Sequence, residues 1–180
     1  MRVITAVEQY IPKEGDITVF LAGGITNCWE WQDKIIELLM EKGDAKRSNE
    51  LVIFNPHRKN FPINDPNASY EQINWEFEML EKADIFSMYF CGDTPSDQPI
   101  CMYELGRNIV RMQTKYPTEW QRRIVISVEG QYKRKNDVVF QTELATGNKI
   151  TVRHANDPSN VIDMHVGDIF AKYIDLINKF

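Results

Sequence analysis

Short apolar runs, each broken off by turn-forming residues and followed by a segment of helical spacing, constrain this chain more than any other feature. Asp16–Gly23 ends in Gly23-Gly24, Leu51–Phe54 in Asn55-Pro56-His57-Arg58, and Asp84–Cys91 in Gly92 and the turn to Pro99. Arg122–Val128 gives a fourth strand and Lys149–Val152 a short fifth. Runs this apolar suit strands buried on both faces. Between them, Trp31, Ile35, Leu38 and Leu39 predict a helix capped by Thr26 or Asn27 and stopped by Gly43; Gly43–Glu50 reads as polar linker. A second helix, Tyr70–Lys82, is capped by Ser69 or Asn67 and turns Ile73, Phe77 and Leu80 inward. A third carries Ile100, Met102, Leu105, Ile109 and Met112 and runs to Lys115. Asp137–Thr146 and Val166–Asn178 complete the set. Strict alternation of strand and helix predicts an α/β fold: a doubly wound parallel five-stranded sheet with helices on both faces. Met1–Gly15 alternates weakly and is an edge strand or a wrapping arm.

A length of 180 residues suits one domain able to bury a core without staples. A net charge of −5 gives no reason to bind a nucleic-acid polymer, and Tyr132-Lys133-Arg134-Lys135 is short enough to be a solvated turn. Cys28, Cys91 and Cys101 form no CxxC pair, and no 18-residue apolar run or signal peptide is present. The expectation is a cytoplasmic protein without membrane attachment. His57, His154 and His165 do not pair with cysteines at metal-ligand spacing, so neither metal nor other cofactor is expected.

In open α/β sheets ligands bind where strands end. That rule gathers Gly23, Gly24 and Asn27, then Asn55, His57 and Arg58, then Asp97 and Gln98, and the start of the helix bearing Glu104. A first-turn glutamate is expected to be held ionised by the helix dipole, as a nucleophile or base requires. It also has the plain reading of a helix-stabilising charge. Gln72, Trp75 and Glu76 fall three to four residues apart, hence on one helix face, where a tryptophan argues against simple solvation. The two glycines match neither a dinucleotide fingerprint nor a phosphate loop, and a tight turn would also explain them. Trp29 and Trp31 read as packing residues.

The ordered motifs Leu21-Ala22-Gly23-Gly24, Asn55-Pro56-His57-Arg58, Gln72-x-x-Trp75-Glu76-x-x-x-Leu80-x-x-Ala83-Asp84 and Gln98-Pro99-Ile100-x-x-x-Glu104-Leu105-Gly106 resemble the nucleoside 2-deoxyribosyltransferase family, in particular its small phage and bacterial members. The resemblance runs from Ile17 to Val128 and implies a flavodoxin-like fold. It makes Glu104 the nucleophile and Glu76 the acidic residue facing substrate, where better-known members carry aspartate. Six residues before the nucleophile those members have an acid or hydroxyl; here Gln98 stands there, with Asp97 beside it. His57 replaces a common arginine, and Ile25-Thr26-Asn27 lacks the phosphate-contacting arginine of hydrolase relatives. Homo-oligomers whose subunits complete one another's pockets are implied as well.

Cleaving an N-glycosidic bond builds oxocarbenium character at C1′ and needs a proton for the departing base. Retaining glycosidases meet both needs with two carboxyl groups roughly 5 Å apart. Glu104 suits the nucleophilic role; Glu76 or Asp97 suits the second if a wall of Trp75, Tyr89 and Phe90 raises its pKa. The expected partners are a nucleoside or nucleotide and a free nucleobase, with deoxyribosyl transfer as the reaction. The alternatives are a 2′-deoxynucleoside 5′-phosphate N-hydrolase, a glycohydrolase of NAD-like dinucleotides, or a nucleotide-binding module without turnover.

Overall fold

The apolar runs assemble as one sheet in the computed structural model, which describes residues 1–42 and 51–178. The strands are β1 (Arg2–Thr5), β2 (Ile17–Gly23), β3 (Leu51–Asn55), β4 (Ile85–Phe90), β5 (Ile124–Glu129) and β6 (Arg153–Ala155). They lie in the order β1-β3-β2-β4-β5-β6, every neighbouring pair parallel. Parallel strands need crossovers, and from β2 onward the helices supply them. These are α1 (Trp31–Lys42), α2 (Ala68–Lys82), α3 (Pro99–Lys115), α4 (Lys135–Thr146) and α5 (Pro158–Ile177).

One face of the sheet packs Phe20, Ala22, Phe86 and Met88 against Trp75 and Leu80 of α2, Leu105 and Ile109 of α3, and Val138 of α4. The other packs Val19, Leu21 and Tyr89 against Trp31 and Ile35 of α1 and Val166 and Ile169 of α5. The alternation of Phe20 and Ala22 with Val19 and Leu21 is the period-two pleat of a strand buried on both sides. From β2 the chain crosses to β3 on one side and later to β4 on the other, so a crevice opens between the carboxyl ends of β2 and β4. At their opposite ends Asp84 ties the two strands together, its Oδ2 accepting from the Thr18 N–H and from Thr18 Oγ1, both at 2.9 Å. His165 of α5 is fully buried between Ser87 Oγ (2.7 Å) and Ser127 Oγ (2.8 Å), and burial pushes its pKa down to about 3. It is a neutral hydrogen-bonded pin between helix and sheet.

Several expectations are corrected. The sheet has six strands because the first segment forms β1, pairing in register with β3 from Arg2–Val52 to Thr5–Asn55. The last strand is Arg153–Ala155; Ile150 and Val152 are buried, but from a loop, so apolar character there reflects packing rather than pairing. Helix α1 starts at Trp31, beyond either proposed cap, and Asn27 takes a left-handed φ of 58°. The expected stop at Gly43 and linker to Glu50 lie outside the described residues. Asn67 occupies the cap position of α2 without a side-chain hydrogen bond. On that helix Trp75, Met79 and Leu80 face inward, whereas Ile73 and Phe77 are 63% and 52% exposed. Helix α5 begins at Pro158, with the Asp157 carboxylate accepting from the Ser159 N–H at 2.9 Å. The turn at Tyr132 is only partly solvated: Tyr132 is buried and stacked on Phe90, while Lys133 and Arg134 are exposed. Among the described residues, no helix is long and apolar enough to cross a membrane.

Candidate active site

The crevice between β2 and β4 holds a cavity of about 210 Å³. Its floor is strand-end backbone. After β2 the chain passes through Gly23 and Gly24, and both positions are too crowded for a side chain. A Cβ on Gly23, whose φ is +154°, would meet the Tyr89 carbonyl and come within 2.6 Å of the Trp31 ring. One on Gly24 would meet the Gln98 amide and lie 2.6 Å from Cys28 Sγ. The glycines therefore let two strand-end loops close on each other and leave backbone facing the cavity.

Gln98 fixes the second loop. It precedes α3 with a left-handed φ of 47°, a conformation uncommon for a residue with a side chain, and its amide is spent on the Cys91 backbone. Nε2 donates to the Cys91 carbonyl at 2.9 Å, while Oε1 accepts from the Cys91 N–H at 3.4 Å. Pro99 then opens α3 and projects Ile100, Cys101 and Glu104 at the cavity.

Glu104 is the sixth residue of α3, and no acidic residue occupies the first turn. The expectation of a carboxylate held ionised by the helix dipole is corrected. Burial, with the charge of Glu76 added, pushes its pKa up to about 7, the Arg107 guanidinium opposing. Glu76 reaches the same cavity from α2. Burial raises its pKa too, against a hydrogen bond from Gln72 Nε2 at 2.8 Å. The same Gln72 nitrogen donates at 2.7 Å to the carbonyl of Pro56, another lining residue. One amide thus couples the end of β3 to the Glu76 carboxyl. Two carboxyl groups that share a partly buried cavity titrate as a pair. The charge on one carboxyl favours the proton on the other, an arrangement suited to one nucleophile and one acid.

Of the residues singled out in the sequence, Gly23, Gly24, Glu76, Gln98 and Glu104 line this cavity, and Gln72 stands behind Glu76. The others lie elsewhere. Trp75 turns into the core between Phe20 and Phe54, its Nε1 donating to the Glu8 carbonyl at 2.8 Å. Tyr89 and Phe90 are buried in β4 and form no wall of the cavity; Phe20, Ala22, Pro56, Pro99 and Ile100 provide its apolar surface. Asp97 is exposed and pairs with Lys133 at 2.6 Å. Asn27 is exposed in its turn. Asn55, His57 and Arg58 line a different cavity. Residues missed in the sequence include Ser96, Cys101 and Pro56. Pro56 sits inside a motif already noted and was accessible through strand alternation; Ser96 carried no signal of its own.

Among the described residues, no group of three or more His, Cys, Asp or Glu side chains is placed to hold a metal ion. Residues 16–116, more than half of the chain, match the model of a family described as nucleoside 2-deoxyribosyltransferase like. A comparison with curated proteins finds no match.

Proposed function

The chain belongs to the nucleoside 2-deoxyribosyltransferase-like family, and on that premise we propose that it transfers a 2-deoxyribosyl group between nucleobases through an ester to Glu104. The observation carrying this reading is the meeting of Glu104 and Glu76, from two different helices, in one cavity over the glycine turn. The family match supports the substrate class, a nucleoside and a nucleobase. The whole chain, family region and flanks together, is read as one domain.

In the first half-reaction an ionised Glu104 oxygen attacks C1′. The C1′–N bond breaks, its electron pair leaves with the base, and Glu76 gives that base a proton. Burial raises the Glu76 pKa, which favours the protonated form that an acid needs. Asp97, the other acid considered, is turned to solvent and held by Lys133. Gln98 cannot take the role, because a carboxamide does not give up a proton near neutrality and its side chain is bonded to the Cys91 backbone. In the second half-reaction an incoming base nitrogen attacks C1′, the ester breaks, Glu104 regains its charge, and Glu76 recovers a proton from the new base. Water in place of the base would make the protein a hydrolase.

Incubation with thymidine or deoxyinosine plus free adenine, followed by chromatography, tests the reading. Deoxyadenosine appearing in step with released base supports transfer. Base release at the same rate with no acceptor, and without deoxyadenosine, assigns hydrolysis instead. No product of either kind across a panel of donors removes the enzymatic reading.

The cavity mouth borders an apolar stripe suited to a second copy of the chain. Tyr70, Ile73 and Phe77 of α2 and Ile100 and Tyr103 of α3 are each more than half exposed. Arg107 bridges the two helices, stacking 4.3 Å from the Phe77 ring and bonding Glu81 at 2.9 Å. Homo-oligomerisation through this face predicts that Ile73→Glu shifts the sedimentation coefficient to that of a monomer. An unchanged coefficient refutes that face.

A further inference from the structure

Asn55, Pro56 and His57 follow one another at the end of β3 yet serve two different cavities. Successive residues of an extended chain point to opposite sides. Pro56 accordingly lines the Glu104 cavity, while Asn55, His57 and Arg58 line a second one of about 450 Å³. This second cavity lies across the sheet: its walls include Val3 and Ile36, which pack with the core shared by α1 and α5.

Its polar lining is unbalanced. His57 Nδ1 and Arg58 Nη1 are buried there without a hydrogen-bond partner among the described residues. A buried polar nitrogen left unpaired is costly, and more so when the group is charged. The acid lining the cavity, Asp33, is already engaged by Lys59 at 2.7 Å. The Arg58 guanidinium instead lies 5.5 Å from the centre of the Phe61 ring. The backbone N–H of His57 donates to Asn55 Oδ1 at 3.0 Å, which fixes the loop and keeps both side chains at the cavity. In a chain of net charge −5, this is a preformed cationic pocket with orphaned donors and an apolar back wall.

We propose that this pocket is a second binding site, distinct from the Glu104 cavity, for the phosphate group of a small molecule. A guanidinium presents parallel N–H bonds that match phosphate oxygens in a bidentate pair. His57 Nδ1 donates a further bond in the tautomer that carries its proton, and Val3 and Ile36 accommodate less polar parts of the ligand. The inference rests on residues that take no part in the proposed transfer, so it stands or falls independently of that chemistry.

The test is calorimetric titration of the full chain with inorganic phosphate at fixed ionic strength, alongside amide chemical shifts in the same buffer. Saturable binding in the millimolar range or tighter is expected, with shifts centred on His57, Arg58 and Lys59. Arg58→Gln should weaken binding at least tenfold. Arg58→Lys, which keeps the charge but not the fork, should fall between. Glu104→Gln should bind phosphate as the wild type does. Phosphate giving no saturation up to about 10 mM, or binding untouched by Arg58→Gln, overturns the proposal. So does binding that moves with Glu104→Gln, or shifts centred on Gly24 and Ser96, since the anion then sits in the other cavity.

Discussion

Replacing Glu104 by glutamine should make the folded protein more stable at alkaline pH while abolishing transfer. The wild-type carboxyl has its pKa pushed from 4.5 up to about 7, because burial beside Glu76 penalises its charge. An acid whose folded pKa is raised contributes stability that is fully present below 4.5 and lost as pH climbs through about 7. At 1.36 kcal/mol per pH unit the unscreened penalty for the ionised form is about 3–4 kcal/mol; screening at the open mouth reduces it to roughly 1–3 kcal/mol. Glutamine keeps the shape of the protonated acid without the charge. Urea unfolding of both proteins between pH 4 and pH 8.5 reads the difference directly, and the opposing titration of His165 cancels because both carry it. The two curves should coincide near pH 4 and separate progressively, the variant lying above by roughly 1–3 kcal/mol at the alkaline end. A gap that is constant with pH, or a variant less stable at pH 8, would refute the electrostatic account of this site.

The same pair sets the pH dependence of turnover: kcat/KM should rise as Glu104 ionises around pH 7, and in Glu76→Gln that rise should move to lower pH because the charge that helps hold the Glu104 proton is gone; a rise at unchanged pH would deny the coupling. That variant should also lose roughly 10²–10⁴-fold in kcat, with a smaller loss for donors whose base leaves without protonation; equal losses for good and poor leaving groups would deny Glu76 the acid role. Gly24→Ala places a methyl against the Gln98 amide and Cys28 Sγ, so thermal unfolding should show a loss of about 1–3 kcal/mol and nucleoside binding should weaken; a variant of wild-type stability would mean the loops are not closed on each other. Cys28 is half-buried with its thiol pKa lowered chiefly by hydrogen bonding to Cys91, whereas that same bond and then burial raise Cys91, and burial raises Cys101. Iodoacetamide on native protein should alkylate Cys28 alone, the other two reacting only after denaturation, as peptide mass spectrometry would read.

The central strands were legible in the sequence because burial on both faces demands largely apolar runs, which Val19–Ala22, Leu51–Phe54 and, with Ser87 the one polar member, Ile85–Phe90 supply. The edges were not. β1 and β6 are short strands with no fully buried residue, so little hydrophobic signal marks them, and the buried loop residues Ile150 and Val152 mimicked a strand. Helix faces were ambiguous where apolar residues crowd: on α2, Ile73 and Phe77 compete with Trp75 and Met79, and only the register against Phe20 and Phe54 decides which set packs. The pair Glu76 and Glu104 was traceable from strand-end logic and spacing. The division of Asn55-Pro56-His57-Arg58 between two cavities was not, since it depends on how far the pleat of β3 persists beyond its last hydrogen bond. Nor does a sequence reveal that the Gln98 amide is bonded to the Cys91 backbone, or that Glu104 sits deep enough for burial to raise its pKa.

The central claim is an ester between Glu104 and the anomeric carbon. Mixing the protein with a 2′-deoxynucleoside in the absence of acceptor, quenching in acid and measuring peptide masses tests it most directly. The peptide carrying Glu104 should gain the mass of one deoxyribosyl unit, the gain should vanish on adding a free base, and Glu104→Gln should show none. Base release with no adduct at any quench time, an adduct on another residue, or undiminished turnover in Glu104→Gln would contradict the account.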